Sequence, residues 1–216
     1  MEKYLNKLDE ISEILLGNNP LIANEQVQQL KKIIIYDMAM KNANCYKKEQ
    51  LRCAKQVLKS ASKKAPNKLF HNIFKVDDTY QLTDGYIAIV LKDMINGLEL
   101  STLQGNFDGR KIIESSNPTG YEYKKTEIDM MELEQKAIMA KKVPENLIPL
   151  EDTIHINNLY YYPIHLLRAI RILGTKDIEM YAHISGKKEP LYLKSEFGEA
   201  IVLPIRLAVK NNKKWV

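Results

Sequence analysis

Two cysteines, four histidines and no long apolar run in 216 residues exclude a good deal. Cys45 and Cys53 are spaced neither as a CxxC redox pair nor as a zinc knuckle, so reduced structural thiols are expected. No apolar stretch approaches the roughly 20 residues of a membrane span, so no membrane contact is expected. The opening MEKYLNKLDEISEILLGNN carries acids throughout and lacks a small-residue cleavage site, unlike a secretory signal. A cytoplasmic protein is the expectation. His71, His155, His165 and His183 are scattered, and there is no HExxH, Cys/His cluster or GxSxG. SGKK at 185–188 lacks the upstream glycine of a phosphate loop and reads as a hairpin turn. No catalytic residue, metal or cofactor is expected.

What is present is ordinary for a folded chain: 45% hydrophobic and 27% charged residues, a net charge of +5 and a pI near 8.9. The length suffices to bury a real core. A mildly basic balance does not by itself indicate nucleic acid; the placement of the charge decides.

Apolar spacing predicts a helical arm over 3–16, stopped by Gly17-Asn18-Asn19-Pro20. Residues 24–41 suit either a helix or a buried strand at Ile33–Met40. A helix is predicted over 46–64, closed by Pro66. Strands follow at 69–76, 79–83 and 86–91, with turns at Asp77-Asp78 and Asp84-Gly85. Residues 96–126 hold four of the nine glycines and read as connection, and a helix is predicted over 127–142. A strand at 153–157, a helix at 160–173 ended by Gly174, and strands at 177–184, 190–195 and 200–208 complete the chain. The order is α+β. A strand, a helix and three strands recur, in topology rather than in sequence. The divisions are a helical arm (1–22), a first half (23–95), a connection and helical insertion (96–150), a second half (151–210) and a basic tail (211–216).

This order, with certain residues, resembles the bacterial sliding clamp, the β subunit of the replicative DNA polymerase. IHINNLYYYPIHLLRAIRIL at 154–173 is similar to that family's strand, Phe-Asn-x-x-Tyr and helix: Asn157 and Tyr160 match, and Ile156 stands for Phe. EPLYLKSEFGEAIVLPIRL at 189–207 is similar to its closing strands, which end in Met-Pro-x-Arg-Leu. Leu203 replaces Met, and Pro204, Arg206 and Leu207 match. Thr83, Asp84 and Gly85 match the family's Thr-Asp-Gly-His-Arg-Leu turn, with Tyr86 for His and Ile87 for Arg. NFDGRKIIESSNP faintly echoes the segment joining two clamp domains. A clamp subunit has three such domains, and this chain has room for one plus an arm and an insertion. A ring would therefore need several copies, which makes a homo-oligomer an expectation.

The resemblance implies a DNA-clamp-like fold, duplex DNA against basic helices, and a pocket for short apolar peptides of replication or repair proteins. Lys48, Arg52, Lys55, Lys59 and Lys63 step by three and four along one predicted helix face. His165, Arg168 and Arg171 step by three along another. Together they form the candidate DNA face, whose phosphate contacts would give affinity without sequence readout. Such a lysine row equally suits a solvated helix face. The acids of 127–142 (Glu127, Asp129, Glu132, Glu134) show that the surface is not uniformly basic, and they suit a protein interface too. By resemblance, Thr83, Gly85, Asn157, Tyr160, Val202, Leu203, Pro204, Arg206 and Leu207 line the partner pocket. Pro204 removes a backbone donor and belongs at a strand end or edge, where another chain can add. The same residues also suit a purely structural strand ending. The Lys/Asn/Ile-rich composition hints at an AT-rich bacterial or phage genome, and the resemblance would then suit a small clamp or a clamp-derived module of a phage or mobile element.

Two other readings stay open. One is a clamp-fold protein-interaction module without DNA binding, an inhibitor or adaptor of a host machine. The other is a nuclease holding Mg²⁺ on Asp77, Asp78 and Asp84.

Overall fold

The computed structural model describes residues 2–17, 19–64, 68–103, 107–116, 118, 120–143, 147–174, 177–184 and 189–205. The arm is helix α1 (Glu2–Leu16), and residues 24–41 belong to helix α2 (Pro20–Asn42). Pro20 suits the first turn, where its missing N–H costs nothing. The isoleucine run does not form a strand because its members serve different sides. Ile34 is half-buried in the small α1–α2 core, whereas Ile33 and Ile35 remain exposed. The first half thus lacks the leading strand that a strand-helix-three-strand unit requires.

Helix α3 (Cys45–Lys64) buries Leu51, Ala54, Val57, Leu58 and Ala61 on one side. Three antiparallel strands follow: β1 (Phe74–Val76), β2 (Thr79–Thr83) and β3 (Ile87–Leu91). β1 is shorter than the predicted 69–76 because Lys68–His71 form a 3-10 turn. The 96–126 segment is more than a connection. It contains α4 (Gly109–Ser115) and β4 (Tyr123–Thr126), and α5 (Met130–Ala140) follows. Asp129 caps α5 by accepting from the Met131 and Glu132 amides.

The strand predicted at 153–157 is β5 (Ile154–Ile156). It pairs with β6 (Leu159–Tyr161) in a separate hairpin, not in the main sheet. Asn157 and Asn158 both take positive φ (47° and 65°), which a two-residue hairpin turn requires. That hairpin uses Tyr160 and Tyr161, so α6 starts at Pro163 rather than 160 and runs to Leu173. Gly174, at φ 105°, ends it. Strands β7 (Glu179–His183), β8 (Leu191–Ser195) and β9 (Gly198–Val202) complete a seven-stranded antiparallel sheet.

The sheet order is β1-β2-β3-β9-β8-β7-β4. Its first six strands are palindromic: helix plus three strands, twice, joined where β3 meets β9 with Ile89 opposite Ala200. Alternation divides the central strands between two cores. Ile87, Ile89, Leu91, Leu191, Leu193, Ala200 and Val202 pack toward α3, α5 and α6, which share that face. Ala88, Val90, Tyr192 and Ile201 face α4 with Ile113 and Phe107. Gln81, 1% exposed, ties that second face together. Its Oε1 accepts from the Gly109 amide (2.6 Å), and its Nε2 donates to Thr79 Oγ1 (3.2 Å) and to Asp108 Oδ1 (3.4 Å).

Cys45 is exposed and Cys53 buried. Burial pushes the Cys53 thiol up to about 11, with Glu49 adding to the effect. A thiol held neutral in the fold contributes stability at neutral pH. That contribution declines as pH rises from the ordinary thiol range, about 8.5, through about 11. The expected result with a thiol-specific chromogenic reagent at pH 8 is fast reaction of Cys45 alone, with Cys53 reacting only after denaturant is added. Among the described residues, no helix is long and apolar enough to cross a membrane.

Candidate functional site

The segments nominated for partner docking meet in one place. The Thr83–Tyr86 turn is held internally. Thr83 Oγ1 donates to Ile87 O (2.7 Å) and accepts from Gly85 N (3.1 Å). Asp84 Oδ1 accepts from Tyr86 N (3.1 Å) and Ile87 N (3.2 Å). Gly85, at φ 88°, makes the reversal. Past β9 the chain turns from strand pairing to single anchors: Leu203 N donates to Tyr86 O and Ile205 N to Tyr160 O, each at 2.8 Å. Pro204 lies between the two donors and has none of its own.

The exposed part of this surface is smaller than the nominated set. Leu203 is 38% exposed, Pro204 and Tyr160 are half-buried, and Gly85 and Asn157 are open. Val202 is fully buried, paired with Ile87 and Leu191, and Thr83 is 5% exposed and spent on the turn. Neither can touch a docked peptide; both are corrected to supports of the sheet. Asn157 Nδ2 donates to His183 O (3.2 Å), anchoring the β5–β6 turn to the end of β7. Arg206 and Leu207 lie outside the described residues.

Beneath the turn lies a cluster that sequence spacing does not signal. His165, 2% exposed, stacks on the Tyr86 ring (5.0 Å, 11°) and sits 5.0 Å from the Tyr162 ring. Its Nδ1 faces Asp84 Oδ2 at 3.8 Å. Lys64 Nζ stands over the Tyr86 ring at 4.2 Å. His165 is therefore a support for the turn, and its nomination for DNA contact is overturned. The cause is geometric: six residues at about 100° each leave His165 and Arg171 about 120° apart on α6, so a row of three-residue steps slants off the face.

The α3 row is real but interrupted. Arg52, Lys55, Lys59 and Lys63 are exposed and Lys48 half-buried. Lys55 Nζ stands 3.4 Å over the Tyr36 ring of α2, and burial at that seam lowers its pKa. Arg52 pairs with Glu49 (3.4 Å) and Arg168 donates to Gln56 Oε1 (3.2 Å). Arg171 is held by two carboxylates, Glu49 (2.7 Å) and Glu134 (2.9 Å), which link α6 to α3 and α5. Its nomination as a free phosphate ligand is corrected, since both arms of its guanidinium are already engaged. Lys48, Lys59 and Lys63 remain without an ion pair among the described residues.

Asp77-Asp78 and Asp84 lie at opposite ends of β2, on the order of 15 Å or more apart at the rise of a strand. They cannot share one cation. Among the described residues, no group of three His, Cys, Asp or Glu side chains could hold a metal ion. A cavity of about 520 Å³ lies at the other end of β3, walled by Tyr46, Gln50, Leu51, Leu91 and Phe197. Compared with family models, with curated proteins and with solved structures, the chain matches none.

Proposed function

We propose that this chain is a non-enzymatic, clamp-like binding protein of DNA replication or repair that docks a short apolar peptide of a partner at the Tyr86–Leu203–Ile205–Tyr160 edge. The observation that carries the reading is the convergence of three sequence-distant segments in one chain, through the two backbone bonds to Tyr86 O and Tyr160 O. These are the segments that the clamp resemblance assigns to partner docking. Leu203 and Pro204 supply an apolar floor just past the end of β9. Because β9 is paired on both sides and the Leu203 and Ile205 amides are engaged, a peptide would be held there by side-chain contacts rather than as an added strand. The paired helix-plus-three-strand units, with α3 beside α6, support a clamp-like domain. The missing leading strand of the first half departs from it.

Fluorescence anisotropy with a labelled clamp-binding peptide of a replicative polymerase tests this. The wild type binds, and Leu203→Glu weakens binding at least about tenfold, a loss of roughly 1.4 kcal/mol, with unchanged circular dichroism. No binding by the wild type, or equal binding by the variant, refutes the docking edge.

Duplex DNA is the second reading, favoured by Lys48, Lys59 and Lys63 projecting from α3. Three phosphate contacts predict a log-log salt slope near −2.7, or about 40-fold weaker binding at 200 mM than at 50 mM salt. Lys59→Glu/Lys63→Glu should remove most of that dependence. A chain that binds the peptide but is indifferent to duplex DNA is an interaction module of clamp-like fold rather than a DNA clamp.

A further inference from the structure

The α1–α2 hairpin cannot cover its own apolar residues. Its private core contains three buried side chains, Ile11, Ala23 and Leu30. Lys3 and Tyr4 of α1 both donate to Asp37 of α2, which fixes how the two helices face each other. Leu5, Leu8 and Leu15, at 53%, 46% and 52% exposure, recur on one flank of α1. Ile35 and Met38, at 49% and 59%, share one flank of α2. In an antiparallel pair facing through Ile11 and Leu30, helical spacing turns both flanks to the same side. The opposite side of α2 is occupied: Tyr36, Ala39 and Met40 pack against the body.

We propose that this face is a homodimer interface, on which the hairpin of a second copy of this chain closes a four-helix bundle. The area fits. At about 180 Å² for a fully exposed side chain, the five residues offer on the order of 500 Å² of apolar surface per copy, close to the apolar share of a standard interface of roughly 800 Å² a side. The charges select the arrangement. α1 bears exposed Asp9 and Glu13 beside its apolar flank, and α2 bears exposed Lys31 among the residues of its own. A two-fold pairing that lays α1 on the α2 of the second copy sets acids against lysine. A pairing of α1 on α1 would oppose acid to acid. A two-hairpin bundle is a closed, isologous assembly, so it stops at two copies.

Light scattering on the full chain is the test. The wild type at tens of micromolar is expected at twice the 24.9 kDa chain mass, and Leu8→Glu/Met38→Glu at the single-chain mass. Both sites are exposed, so the variant keeps its fold by circular dichroism. Hydrogen exchange gives a second readout: α1 and α2 amides of the wild type become more protected as concentration rises, and those of β3 and β9 do not. A monomeric wild type overturns the proposal, as does a variant that remains dimeric. Vesicle co-sedimentation separates the remaining occupant. A monomer that pellets with phosphatidylglycerol vesicles through the same residues would assign the face to lipid and overturn the dimer.

Discussion

Gly198→Ala should lower the unfolding free energy by about 3 kcal/mol, the upper range for overpacking, and the melting temperature by roughly 6–12 °C for a chain of this size. A Cβ on Gly198 would lie 2.2 Å from Val90 O and 3.0 Å from Leu91 Cα. Both are backbone atoms of β3, so no side-chain rotation relieves the clash. Moving the strands apart would break the β3–β9 ladder that joins the two halves, in which Gly198 pairs with Leu91. Gly85→Ala is the control. Its Cβ would meet nothing within 4 Å, so only the positive φ is strained, at a cost of about 1–2 kcal/mol. Urea denaturation of both variants checks the order. If Gly198→Ala proves the milder, β3 and β9 are not packed as closely as described.

Gln81→Ala should cost about 2–3 kcal/mol, from a buried amide left without its acceptor and the void beside it. The Gly109 N–H is directed at Gln81 Oε1 inside the α4 face of the sheet, where water cannot replace the acceptor. Gln81→Glu keeps that acceptor but opposes a carboxylate to Asp108. Burial pushes the Asp108 carboxyl up, but hydrogen bonds from Gln81 and from the Lys111 and Arg110 amides outweigh it and hold the group below its ordinary value. A depressed carboxyl contributes stability above its unfolded pKa, about 3.9, and loses it as pH falls through the folded value. Gln81→Glu should therefore be more damaging at pH 7 than near pH 5, where the introduced acid begins to take up a proton. Thermal melts at both values test this, and a loss independent of pH would leave packing alone as the cause.

The proposed docking edge depends on the same economy of backbone bonds as these two positions. β9 ends where Pro204 removes a donor, and the neighbouring amides of Leu203 and Ile205 are taken up by Tyr86 and Tyr160. Because the Tyr86 ring is packed against His165, the edge is presented by a rigid support. A peptide added there would lose little energy to reordering of the site.

Local pattern carried much of the architecture. The α3 stripe, the stop at Gly174 and the turns at Asp77-Asp78 and Thr83-Asp84-Gly85 are present as read, whereas of the recurring strand, helix and three strands only the helix and three strands recur in the main sheet. Each depends on spacing of three, four or two residues, or on a backbone shape that few residues adopt. The errors fell where local pattern is silent. Ile33–Met40 suited two structures, and α1 decided between them by packing on Leu30 and Ile34. β4 carries no strong signal in YKKT and exists because β7 offers it an edge.

What the sequence alone determined, then, is the strongly periodic helices α3 and α6 and the turns at Asp77-Asp78 and Asp84-Gly85, because amphipathic spacing and turn chemistry act over a few residues. Only the tertiary structure decided what each charged or aromatic side chain does, because its partners come from far along the chain. Glu134 reaches Arg171 across 37 residues and Glu49 across 122. Tyr86 covers His165, and the turn after β2 meets the end of β9. A row of basic residues read as one face was divided by those encounters into lysines facing solvent, an arginine engaged by two acids and a histidine sealed in the core.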